Sequence, residues 1–130
     1  MVTGNNGISH ISTVQSVNEV LTHLLSLLQT KGITVFAVVD HSGEAAKAGM
    51  EMHDTKLVIF GNPRAGTPAM LAAPDCALDL PLKILIAEGS DGRTKISYNS
   101  PAFLQTRYGL EPDIAKPLAG IEQIAAALAS

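Results

Sequence analysis

From Val17 onward the apolar residues Val17, Val20, Leu21, Leu24, Leu25, Leu27 and Leu28 recur at the three- and four-residue spacing of one helix face. Ser16 and Glu19 form a capping box at the start of this run, and Gly32 falls just past its end, so the pattern predicts a long amphipathic helix. The signal then changes period. "ITVFAVV" (33–39) is an unbroken β-branched stretch that predicts a buried strand, and "TKLVIFG" (55–61) predicts another. Between them "GEAAKAG" reads as a short helical segment closed by Gly49. "LKILIAE" (82–88) and "TKISYN" (94–99) flank "GSDG", whose Asp91-Gly92 pair signals a hairpin. Thr67 and Pro68 suit the N-cap and first position of a short helix that Pro74 stops, and Ser100-Pro101 starts another ending near Gly109. Leu118, Ile121, Ile124, Ala125 and Leu128 share one face of a final helix over about 117–129. "ISHIST" (8–13) is a short first strand, preceded by a Gly- and Asn-rich tail over 1–7 that is expected to be flexible.

The order strand, long helix, four strands broken by short helices, long helix defines an α+β class. Tight turns between neighbouring strands make the sheet mainly antiparallel. Both long helices then cover one face of it, giving a two-layer sandwich of β-α-β(4)-α-like layout with short inserted helices. One domain over 8–130 accommodates the whole pattern. The second face of the sheet lacks an obvious cover, which makes it a natural dimer surface.

Composition narrows the functional classes. With 46% hydrophobic residues in 130 the chain has ample core material, but only two Tyr, three Phe and no Trp, so aliphatic side chains must fill it. A net charge of -3 and few aromatics leave neither the basic surface nor the stacking platforms of a nucleic-acid binder. The single cysteine, Cys76, allows no internal disulfide and no multi-cysteine metal site. Neither a basic, apolar leader nor an apolar run long enough to span a bilayer is legible, so a cytoplasmic protein without membrane contact is expected. No cofactor motif is recognisable.

Three segments concentrate polar chemistry. Asp40 and His41 sit at a strand end, where a His can act as base or ligand with Asp40 orienting it; the alternative is that Asp40 caps the following turn. "FGNPRAGTPAML" (60–71) offers Asn62, Arg64 and Thr67 between two glycines, the ingredients of an anion loop. Against that, Pro63 and Pro68 each lack an N–H, and no Walker motif follows. In "CALDLPLKILI" Asp79 lies within an apolar run and Lys83 leads a strand; if buried, the two must pair or be neutralised. Tyr98, Arg107 and Tyr108 are further candidates near the last strand. His10, His23 and His53 show no ligand spacing with His41, so no metal site is expected. Cys76 follows an acidic neighbour that disfavours its thiolate.

Read together, "VVDHSGEAAKAGMEM", "LVIFGNPRAGTPAM", "ALDLPLKILIAE" and "GRTKISYNSPAFLQTRYGL" resemble the DUF302 family of the TT1751-like superfamily in order and spacing, from about residue 8 to 128. The resemblance implies a small α+β domain and a homodimer, and it supplies no catalytic residue. The family's recurring polar positions fall on Asp40, His41, Asn62, Arg64, Asp79, Lys83, Tyr98 and Asn99. Two functions compete. In one, a small molecule or anion binds where the DH, FGNP and LDLPLK segments meet, using Asp40, His41, Asn62, Arg64, Thr67, Asp79, Lys83 and Tyr98. In the other, these residues are structural and the chain is a non-catalytic dimeric interaction module. A metal- or redox-linked enzyme built on His41 and Cys76 ranks last.

Overall fold

A computed structural model describes residues 2–3 and 6–130. The chain runs β1 (Val2–Thr3), β2 (Ile8–Thr13), α1 (Val17–Thr30), β3 (Thr34–Asp40), α2 (His41–Lys47), β4 (Thr55–Gly61) and α3 (Pro63–Ala72). A 3-10 turn (Pro74–Leu78), β5 (Leu82–Glu88), β6 (Thr94–Asn99), α4 (Pro101–Tyr108), α5 (Pro112–Ala115), a second 3-10 turn (Lys116–Ala119) and α6 (Gly120–Ala129) complete it. Among the described residues six strands form one antiparallel sheet in the order β1-β2-β6-β5-β4-β3. This is the α+β sandwich anticipated from the periodicity. Where a tail was expected, Val2 and Thr3 pair with His10 and Ser9 of β2; residues 1, 4 and 5 of that tail lie outside the described residues.

α1 forms because its capping signals agree with its apolar face. The Glu19 N–H donates to Ser16 Oγ (3.1 Å) and the Ser16 N–H to Glu19 Oε1 (3.0 Å), closing the capping box. At the other end Gly32 adopts φ 69°, its N–H donates to Gln29 O, and the Ile33 N–H reaches back to Leu28 O. Val17, Val20, Leu24 and Leu28 are thereby turned onto the sheet, where they meet Val58, Phe60, Ile84, Ile86 and Ile96, together with Ile121, Ile124 and Leu128 of α6. Burial of these apolar side chains, at about 1.5–3 kcal/mol each, is the main force holding the two layers together.

Strand alternation sends Leu57, Ile59, Leu85 and Val39 to the opposite face, and neither apolar cluster of the described residues includes them. A second, smaller cluster lies beyond the end of the sheet, where Ala69, Cys76, Leu110, Ala115 and Leu118 pack the short helices together. Two sequence expectations are corrected. β3 is an edge strand with an exposed surface, Phe36 at 54% and Val38 at 42% exposure, because it ends the strand order and only β4 pairs with it. α3 begins at Pro63, capped by Asn62, which leaves Thr67 and Pro68 inside the helix. β4 runs to Gly61, so the earlier Asn-Pro pair meets the helix start first.

Candidate functional site

The β4–α3 corner is where the FGNP segment turns. Asn62 Oδ1 accepts from the Arg64 N–H (3.0 Å), and Asn62 O accepts from the N–H groups of Ala65 (2.9 Å) and Gly66 (3.0 Å). Pro63 has no N–H. The first-turn donors that an oxyanion would need are therefore already used or missing, and the loop is a capped corner and not a ready phosphate cradle.

Beside this corner lies a cleft of about 280 Å³, lined from Phe36, Asn62, Gly66, Thr67, Met70, Leu80, Pro81 and Leu118. Its size sits near the lower end of small-molecule sites. A register shift between Val35 and Ala37 leaves Phe36 as a bulge, and its ring borders the cleft. Gly61 has no side chain to intrude; a Cβ there would meet Pro81 Cβ at 3.3 Å and Phe36 Cε2 at 3.5 Å. Among the described residues no charged side chain lines this cleft. A second cleft of about 310 Å³ shares Gly61, Asn62, Ala65 and Leu82 with it and is flanked by Arg64, Ile33 and Ile121.

Next to the corner, Asp79 and Lys83 do not form the expected ion pair. Asp79 Oδ2 accepts from Arg107 Nη1 (2.9 Å) and from the Tyr108 hydroxyl. Lys83 Nζ instead donates to backbone carbonyls, Pro81 O (2.9 Å) and Asp79 O (3.4 Å). The strand carries the Lys83 ammonium toward the turn, while α4 brings Arg107 and Tyr108 to the carboxylate. Burial pushes the Lys83 ammonium down, opposed by the charge of Asp79. The hydrogen bond to Asp79 pushes the Tyr108 phenol up. Burial, and then Asp79, push the Cys76 thiol up, which leaves it a poor nucleophile.

Asp40 and His41 stand apart. Register pairs Thr34 with Gly61 and Asp40 with Lys56, so the DH segment is five strand steps from the corner, roughly 16 Å at ~3.3 Å per residue. The single shared site across all three segments is thus corrected to two separate ends of the sheet. At the far end, Asp40 Oδ1 accepts from the Gly43 N–H (2.9 Å), Ser42 Oγ (3.0 Å) and Lys56 Nζ (3.0 Å), while Lys56 also donates to Asp54 Oδ1 (2.7 Å). The Gly43 N–H first, and then Lys56, hold the Asp40 carboxyl down to about 2. Asp54 first, and then Asp40, push the Lys56 ammonium up. A lysine whose charged form is favoured by two carboxylates is a clasp and a poor proton-transfer group. His41 is exposed. Tyr98 belongs to the core, 3% exposed and paired with Ser9, so it reaches neither cleft. Burial and then Glu122 push its phenol up.

Asn62, Arg64 and Thr67 are the sequence candidates the fold gathers around the clefts. The residues that shape the walls, Phe36, Met70, Leu80, Pro81 and Leu118, carried no chemical signal, since an apolar residue in a strand or helix reads as core. Among the described residues no group of three or more His, Cys, Asp or Glu side chains is placed to hold a metal ion.

The sequence matches the family described as "Domain of unknown function DUF302" over residues 9–129. The chain belongs to the DUF302 family. A crystal structure of an uncharacterized conserved DUF302 protein from Bacillus stearothermophilus superposes with a TM-score of 0.77 and 19% identity, covering 95% of each chain, so the two share the fold. Curated relatives named fluoride-specific ion channel FluC 1 occur in Brucella suis and Brucella abortus. Each is 34% identical over 113 residues, covering 85% of this chain and 44% and 42% of the respective relatives. This DUF302 chain therefore spans less than half the length of those proteins. Among its described residues no helix is long and apolar enough to cross a membrane.

Proposed function

We propose that this DUF302 domain binds a small, mainly apolar molecule in the cleft beside the β4–α3 corner. The observation that carries the reading is the cleft itself: preformed, walled by Phe36, Met70, Leu80, Pro81 and Leu118, with Asn62 and Thr67 as polar groups at its side. The used-up donors of the α3 first turn favour an apolar ligand over a bare anion. In the Brucella relatives a homologous stretch accompanies a protein named for fluoride, which makes fluoride the natural competing ligand.

The test is a thermal-shift comparison of octanol with sodium fluoride on the wild type and on Gly66→Leu. A Cβ at Gly66 would meet only Met70 Cε at 3.8 Å and Leu80 Cδ1 at 3.9 Å, so a leucine there fills the cleft without a backbone clash. At ten times its dissociation constant octanol is expected to add about 1.4 kcal/mol of stability, a rise of roughly 5 °C for a domain of this size. Gly66→Leu should fold at least as stably, because glycine is a poor helix residue, and lose the shift. Stabilisation by fluoride alone, or an octanol shift that survives the filling, overturns the reading.

A second reading concerns a homodimer and rests on the bare edge of β3. Val35, Phe36 and Val38 are exposed there, and no lysine or proline blunts the strand. Among the described residues the open sheet face carries Lys83 and Lys95 at its outward strand positions and no Asp or Glu, so two such faces would bring like charges together. Edge-to-edge pairing of antiparallel β3 strands avoids this, and sets the Lys31 end of one copy toward the Asp40 end of the other.

A further inference from the structure

The second cleft raises the question of what Arg64 is for. It is lined by Ile33, Phe60, Ile121 and Ile124, and among the described residues Arg64 is the charged one that lines it. Arg64 is exposed, and among the described residues no carboxylate lies within ion-pair distance of its guanidinium. Arg107, by contrast, is matched to Asp79, and Lys56 to Asp40 and Asp54. The two clefts share Gly61, Asn62, Ala65 and Leu82, so a ligand seated in the first ends beside the second, at the residue next to Pro63.

We infer that the ligand is an amphiphilic monoanion of the carboxylate class, its apolar tail in the Phe36–Met70–Leu80–Leu118 cleft and its head on Arg64 across the corner. This deepens the apolar-ligand reading and rests on it. A guanidinium offers paired N–H donors in a plane that matches a carboxylate. The α3 first turn cannot perform that task, since Asn62 and Pro63 leave it without free donors. The polar charge-reader and the apolar walls are thus supplied by different elements: Arg64 by the outward side of α3, and the walls by the β3 bulge, α3, the Leu80–Pro81 turn and the second 3-10 turn.

The experiment compares octanoate with octanol by calorimetry on wild type, Arg64→Gln and Gly66→Leu. Arg64→Gln is expected to weaken octanoate about three- to tenfold, the range of a charge-assisted pair at a partly exposed site, and to leave octanol unchanged, which also shows that the variant is folded. Octanoate binding to wild type should weaken with added salt while octanol does not. If Arg64→Gln leaves octanoate unaffected while Gly66→Leu abolishes it, the head assignment is overturned and the cleft reading stands. If neither compound binds the wild type, the cleft reading falls and takes this inference with it.

Discussion

Asp40 shows how one carboxylate can look catalytic and serve as a cap. Its Oδ1 gathers the Gly43 N–H, the Ser42 hydroxyl and the Lys56 ammonium, which starts α2 and ties it to β4. Because the folded state holds this carboxyl at about 2, below its ordinary 3.8, its contribution is fully present above pH ~3.8 and is lost as pH falls toward 2. Amide signals of residues 41–47 should therefore broaden or exchange faster between pH 4 and 2, ahead of those of α1. Unchanged α2 signals at pH 2 would refute the capping role. Its position before a helical turn made the cap legible in the sequence. Asp79 was harder to read. The short separation to Lys83 suggested a pair, yet the partners that satisfy its carboxylate, Arg107 and Tyr108, come from α4, 28 and 29 residues away.

At the scale of elements, the two faces of one strand carry different energetic weight. Ile84 points into the core at 0% exposure, and Leu85, its neighbour, points to the open face. Ile84→Ala should cost about 2–5 kcal/mol and Leu85→Ala about 1 kcal/mol or less, measured by urea unfolding. Equal costs would mean that the outer face is packed. Long periodic segments such as α1 were legible because burial and helical spacing agree over four turns and both ends carry caps. The start of α3 was not, because two polar residues each followed by a proline, Asn62 and Thr67, compete for the N-cap and local preference does not rank them. β3 misled for a different reason: a β-branched run fits an edge as well as a centre, and only the strand order distinguishes them.

For the molecule as a whole, the open edge and open face bear on assembly. Light scattering at tens of micromolar should find wild-type dimers, and Val38→Lys, which places a charge on the exposed edge, should yield monomers with unchanged thermal stability at low concentration. A monomeric wild type, or a Val38→Lys dimer, would remove edge pairing. The sequence by itself determined the fold class, the antiparallel hairpin at Asp91-Gly92, the sandwich core and the family, because those follow from periodicity, caps and turn residues that act over a few positions. It also marked Asn62, Arg64 and Thr67. Only the tertiary structure separated the DH segment from the FGNP corner, sent Asp79 to Arg107 and Tyr108, and assembled a cleft from Phe36, Met70, Leu80 and Leu118. Those decisions depend on which distant elements meet, and that is set by assembling the sheet and docking the short helices at its end, where no local pattern records the outcome.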